Sequence, residues 1–488
     1  MISLRGSRPP FRWSFWLVLL LCAGIPRVVA AFLLPNEEGD PYAYVQAIEM
    51  MRASIAGGTF TISELFGFWL PLYQLICALI TVVVGHPLYV AKVVSAVCGA
   101  GTCLLVFELS EQLTANLILS LFAFALIALN PIHIMYSAFS MSDVPHALMV
   151  MAGLYFAIKN RWVIAASFSA VGGLIRPESW LFIVLLPALQ FLLHRRVSLT
   201  SCFIALSAPL IWIYISWSAT GNAFEYFDVR SDYIRELLLS DPGLGSLSPA
   251  TVIANVQTLL YSMGHAVIIA CLIAAWLVTK RVLRQYRFEP SAAQLVTLAY
   301  FFSLLGFLLI AFLTKNQPAI FARYCLVLFA LGLPVLVWIF LEAGKWRPAR
   351  SLPLVGALMI LCLWQWTVQL RDGASYVNHI AQKRFLADYL REGLKDTSNL
   401  KVFCDDDTIK VLAGIPSDSC LRSAGLPRDS KTFLDYLREN RVAFVVYERR
   451  NGSTSEKAFR DLGEEDLADH FQLVASTSGD LRLYRTVF

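Results

Sequence analysis

The sequence predicts an α-helical polytopic membrane protein of about eleven spans, followed by a small α/β domain outside the cytoplasm. Three observations predict it. Hydrophobic residues fill 57% of the 488 positions and charged residues only 15%, with a mean hydropathy of +0.61. A soluble chain of this length needs far more polar surface. The apolar residues also run together, and a run of about 18 or more with few charges reads as a spanning helix. Beyond about residue 370 the charges return and the apolar stretches shorten.

The expected spans are 12–34, 87–109, 114–138, 142–158, 162–176, 178–193, 199–217, 251–279, 291–313, 321–342 and 351–369. The first follows Arg5, Arg8 and Arg12. It is longer than the apolar core of a signal peptide and no clear cleavage site follows, so it reads as an uncleaved span. Phe68–Val84 is a further apolar piece, short and holding Pro71. The basic residues set the orientation. They gather before the first span, at Lys159 and Arg161, at His194–Arg196, at Lys280, Arg281, Arg284 and Arg287, and at Lys345, Arg347 and Arg350. All five positions are cytoplasmic in one alternating topology if Phe68–Val84 lies at the interface or re-enters. That topology places 35–86, the turns at Asp143 and Arg176-Pro177-Glu178, the loop 218–250, Lys315–Arg323 and the tail outside. The expected division is a transmembrane domain, 1–369, with 35–86 as its first outer loop, and an extracytoplasmic domain, 370–488. The expected compartment is a bacterial inner membrane.

In the tail, Lys401–Cys404 and Val442–Tyr447 read as strands with an amphipathic helix, Lys431–Asn440, between them. Phe471–Ala475 and Leu481–Tyr484 read as a hairpin around Ser478-Gly479-Asp480. Eight of the ten cysteines fall in apolar runs and no Cys-x-x-Cys occurs, which argues against structural zinc. Cys404 and Cys420, in the tail, read as free thiols, with a bridge as the alternative. A net charge of +5 does not suggest nucleic acid. Asn451-Gly452-Ser453 is a glycosylation triplet of a kind that also arises by chance.

The chemistry-bearing residues sit where apolar runs end. Asn36-Glu37-Glu38-Gly39-Asp40-Pro41-Tyr42 puts three carboxylates just past the first span. They are either a solvated loop or the source of a general base that takes a proton from an acceptor. Asp143, in Ser142-Asp143-Val144-Pro145-His146, is either favoured by a helix N-terminus or part of a site. The cations are Lys92, Arg176 and Arg323. A phosphate-bearing lipid needs such groups at the headgroup boundary. Lys92 otherwise snorkels, and Arg176 otherwise pairs with Glu178. His133 and His146 flank Asp143 without any recognised metal-ligand spacing and read as structural. A divalent metal is left open as a partner of the carboxylates.

In order along the chain, these pieces resemble the GT-C superfamily of membrane glycosyltransferases, in the branch of protein O-mannosyltransferases and lipid A aminoarabinose transferases. The resemblance rests on Glu38-Gly39-Asp40-Pro41-Tyr42, Trp69-Leu70-Pro71-Leu72-Tyr73, and Ala91 to Gly99 with Lys92 where the family has Arg. It continues with Asn130-Pro131 through Tyr136-Ser137 to Asp143, Leu174-Ile175-Arg176-Pro177-Glu178, and Arg323-Tyr324. It covers roughly 1–345. It implies a polyprenyl-phosphate sugar donor, inversion at the anomeric carbon, and a glycan, lipid or protein acceptor. In these terms Asp40 or Glu38 is the base and Asp143 orients. Lys92, Arg176, Glu178, Arg323 and Tyr324 bind substrate. The alternative class is a transporter or flippase of lipid-linked substrates; such proteins often carry internal repeats, and no repeat of fixed period is visible here.

Overall fold

The computed structural model describes residues 13–37, 39–240, 248–282, 291–317, 319–346, 348–394, 401–416, 419–421, 430–448, 469–477 and 481–487. Glu38, Arg5, Arg8, Arg12, Arg284, Arg287, Arg347, the Asn451-Gly452-Ser453 triplet and the Ser478-Gly479-Asp480 turn lie outside these residues.

Helix α1 (Trp13–Leu33) is the first apolar helix. The segment that follows it is largely helical rather than a loop: α2 (Asp40–Gly57), a short 3-10 helix at Ile62–Leu65, and α3 (Leu72–Val84). Gly39 enters α2 at φ +81°, a conformation costly for any residue with a Cβ. Pro41 then sits in the first turn, where its missing N–H is harmless. Helix α3 has 13 residues, about 20 Å at the usual rise per residue. A bilayer core is about 30 Å thick.

The membrane domain continues through α4 (Pro87–Thr114), α5 (Leu117–Ala128), α6 (Pro131–Ser137), α7 (Asp143–Ile158), α8 (Trp162–Gly173), α9 (Phe182–His194) and α10 (Leu199–Thr220). Then come α11 (Glu225–Ser240), α12 (Pro249–Met263), α13 (His265–Val282), α14 (Ala292–Leu313) and α15 (Leu326–Trp346). Among the described residues, six helices are long and apolar enough to cross a membrane, or eight if each of two bent pairs is one span. The chain is thus a multi-pass membrane protein, and length and composition support six to eight of the eleven expected crossings. Two expected spans are broken. Within 114–138, α5 and α6 meet at 59°; Asn130 caps α6, accepting from His133 N at 2.8 Å, and Pro131 opens it. Within 251–279, α12 and α13 meet at 94° across Gly264, whose φ is +83°.

The α5–α6 break frees carbonyls that lipid cannot satisfy. Arg27 of α1 fills this need. It is fully buried and donates to Ile127 O at 3.0 Å and Ala128 O at 3.1 Å, and its Nη2 lies 2.8 Å from His133 Nδ1. At the centre, α15 is almost wholly enclosed by α4, α5, α7, α13 and α14.

Helix α16 (Pro348–Leu394) has 47 residues, about 70 Å, and passes through position 370 without a break. Membrane and tail domains therefore share one helix. The tail adds β1 (Lys401–Phe403), α17 (Asp407–Ala413), β2 (Cys420–Leu421), α18 (Ser430–Glu439), β3 (Val442–Glu448), β4 (Phe471–Ser476) and β5 (Leu481–Thr486). The strands form one sheet of order β2-β1-β3-β5-β4. β1 runs parallel to β2 and β3, and β5 pairs antiparallel with β3 and β4. The expected strands, intervening helix and hairpin are all present; α17 and β2 are additions. Cys404 and Cys420 are free thiols, Cys420 Sγ donating to Cys404 O at 3.4 Å.

Candidate active site

Asp40 and Asp143 each stand in the first turn of a helix, α2 and α7, where the helix dipole favours a carboxylate. The two segments that carry them are tied together. Asn36 donates to Ser140 Oγ at 3.1 Å and accepts from Ser140 N at 3.0 Å. The Tyr44 hydroxyl lies 2.8 Å from Ser142 Oγ. Both carboxylates therefore line one open cleft of about 810 Å³.

Ion pairs fill that cleft. Arg323 Nη1 lies 2.6 Å from Asp40 Oδ2. Arg176 Nη1 lies 2.6 Å from Asp143 Oδ1, and its other edge grips Glu178 by two bonds, of 2.8 and 3.2 Å. This forked contact fixes orientation as well as charge. Both guanidiniums also approach the ring of Tyr324, at 4.9 Å for Arg176 and 5.3 Å for Arg323. Two buried atoms are left over. Asp143 Oδ2 and Arg323 Nε have no hydrogen-bond partner among the described residues. Leaving a buried polar atom unmet costs about 1–3 kcal/mol. Both atoms are enclosed by the walls of the cleft.

Glu37 lies against the same group. Burial pushes its carboxyl above the ordinary carboxylate range; Arg323 opposes this, and Asp143 and Asp40 add to it. A third arginine, Arg230 on α11, also lines the cleft, its Nη1 3.2 Å from the Tyr226 hydroxyl. The sequence pattern did not single it out. Its signal is Tyr226, Arg230 and Tyr233 at helical spacing in a polar segment between apolar runs. From here an apolar groove opens between α11 and α14. It shares Glu178, Tyr226, Arg230 and Gln317 with the cleft and adds Phe227 and Phe307.

Of the eight side chains expected at the site, Asp40, Asp143, Arg176, Glu178, Arg323 and Tyr324 meet in the cleft. Lys92 does not. It is buried and donates to Ala31 O at 3.0 Å and Leu34 O at 2.5 Å, closing the C-terminal end of α1. Its ammonium thus serves a helix end in this structure, outside the cleft lining. Glu38 is outside the described residues. His146 Nε2 lies 2.8 Å from Ser179 Oγ and His133 meets Arg27, so both histidines have structural partners. Among the described residues no three His, Cys, Asp or Glu side chains are grouped to hold a metal ion.

No family model and no curated protein matches the chain. Solved structures do. ArnT from Cupriavidus metallidurans, bound to undecaprenyl phosphate, aligns over 98% of this chain and 99% of its own, with a TM-score of 0.64 at 13% identity. The archaeal oligosaccharyltransferase AglB from Archaeoglobus fulgidus, in complex with an inhibitory peptide and a dolichol-phosphate, aligns over 96% of this chain and 74% of its own, with a TM-score of 0.55 at 12% identity. The chain has a GT-C fold. The GT-C likeness extends over nearly the whole length, tail domain included, whereas the sequence resemblance stopped near residue 345.

Proposed function

We propose that the protein is a glycosyltransferase that moves a sugar from a polyprenyl-phosphate donor to a glycan, lipid or protein acceptor on the extracytoplasmic face of a bacterial inner membrane. The observation that carries this is the cleft itself: two arginine–carboxylate pairs, Arg323 with Asp40 and Arg176 with Asp143, gathered in one open cleft. The GT-C neighbours solved with undecaprenyl phosphate and dolichol-phosphate support the donor class.

The reaction is a single displacement with inversion. The donor's isoprenoid tail lies in the apolar groove between α11 and α14, and its phosphate reaches Arg323 and Arg230. The acceptor's oxygen or nitrogen attacks the anomeric carbon. The bond from that carbon to the phosphate oxygen breaks, and polyprenyl phosphate leaves with the electron pair. The acceptor's proton passes to Asp40. As Asp40 is neutralised its hold on Arg323 weakens, just when the leaving phosphate gains charge for Arg323 to meet. Asp143, held by Arg176, orients the acceptor. Native mass spectrometry of the purified protein tests the donor site. Decaprenyl phosphate is expected to stay bound, decaprenol to bind at least tenfold more weakly, and Arg323→Ala to lose most of that difference. Equal retention of phosphate and alcohol by the wild-type protein contradicts the assignment.

A further inference from the structure

We infer that a second groove, beside the cleft, is the acceptor site and that it takes a neutral glycan chain. This rests on the glycosyl-transfer reading above and names its acceptor class. The groove, open and of about 1710 Å³, runs between α2 and the tail domain and shares Phe68 and Trp69 with the cleft. One helical stripe joins the two. Asp40 faces the cleft, while Ala43, Ala47 and Met50, at successive steps of three, four and three residues, line the groove. Residues so spaced share a helix face, so a ligand lying along α2 ends at the proposed base.

The chemistry of the lining favours sugar. Phe66, Phe68 and Trp69 supply flat apolar faces that suit the C–H face of a pyranose, and Tyr44 backs Trp69 with ring centroids 4.6 Å apart. The charged groups already hold hydrogen bonds. Gln46 donates to Asp407 at 2.8 Å and accepts from Lys410 at 3.1 Å, while Glu64 accepts from Thr61 N at 3.1 Å and Ser54 Oγ at 2.9 Å. What is unmatched is uncharged. Gln74 is only 3% exposed and lines the groove, yet its amide has no partner among the described residues. Unpaired, this amide offers the groove two donors and an acceptor. An uncharged polyhydroxyl chain offers such a group donors and acceptors together, which a lipid phosphate does not, and it suits the aromatic faces better than a charged peptide does.

The test uses detergent-solubilised full-length protein, labelled and applied to an array of oligosaccharides and peptides, with decaprenyl-phosphate binding measured in parallel. The wild-type protein is expected to bind a family of oligosaccharides. Gln74→Leu, which removes the amide, and Ala47→Trp, which fills the groove from α2, should each weaken that binding tenfold or more. Both should keep decaprenyl phosphate, which shows that they are folded. Binding of peptides instead of oligosaccharides, or of no array ligand, overturns the inference and leaves the donor reading intact. So does oligosaccharide binding that survives both substitutions. Failure of the wild-type protein to bind decaprenyl phosphate overturns both.

Discussion

Glu37 and Asp40 lie three residues apart, and their surroundings divide them. Asp40 faces a guanidinium at 2.6 Å. Glu37 is half-buried, and the water it loses raises its folded-state pKa. Its folded form then holds the proton more tightly than the unfolded form does. The resulting stabilisation is complete below the ordinary glutamate pKa and is lost as pH rises through the raised value. Glu37→Gln should therefore unfold at nearly the wild-type temperature at pH 4 and at a higher temperature than wild type at pH 8, measured in detergent. A gap of equal size at both pH values contradicts this placement. Most of the site was legible at this scale, because Asp143, Arg176 and Arg323 interrupt apolar sequence where few charges are tolerated. Lys92 stands out for the same reason, yet it lies outside the cleft lining. A buried cation is visible in sequence, but whether carbonyls or a ligand receive it is not. Arg27, equally buried, was passed over inside the first span.

At the scale of elements, the α5–α6 break is what that arginine serves. Pro131 marks it in the sequence, yet a proline within an apolar run also fits a continuous span. Only the carbonyls of Ile127 and Ala128, turned toward Arg27, show that the helix stops. Arg27→Met should leave both carbonyls short of a donor, at about 1–3 kcal/mol each. The predicted outcome is a clear drop in thermal stability in detergent that His133→Ala, which leaves both carbonyls paired with Arg27, does not match. Equal effects would place the break under some other control. Helix α2 was illegible for a related reason: its buried face includes Tyr42, Tyr44 and Ile48, but it also presents Gln46 to Asp407 and Lys410, so its pattern is mixed.

At the scale of the whole molecule, the tail domain is part of the site's frame. Gly39 N donates to Thr408 Oγ1 at 3.3 Å, so α17 touches the residue just before Asp40. Long-range docking of this kind has no local sequence signature, whereas the tail's strands and hairpin do. The topology read from basic residues makes a direct prediction. On a cysteine-free background, single cysteines at the exposed positions Asn222 and Glu392 should react with an impermeant maleimide from outside the cell. One at Asn160 should react only after permeabilisation. Labelling of Asn160 from outside would reverse the orientation.

The central claim is that Asp40 takes the acceptor's proton in the cleft where Arg323 holds a lipid phosphate. The decisive measurement is the release of polyprenyl phosphate when purified protein is given lipid-linked sugars and an acceptor fraction from the host envelope. Wild-type protein should release it with transfer of the sugar. Asp40→Asn should be slower by about a hundred- to ten-thousandfold while binding decaprenyl phosphate about as well. An Asp40→Asn protein that is folded, membrane-inserted and transfers at the wild-type rate would contradict the account.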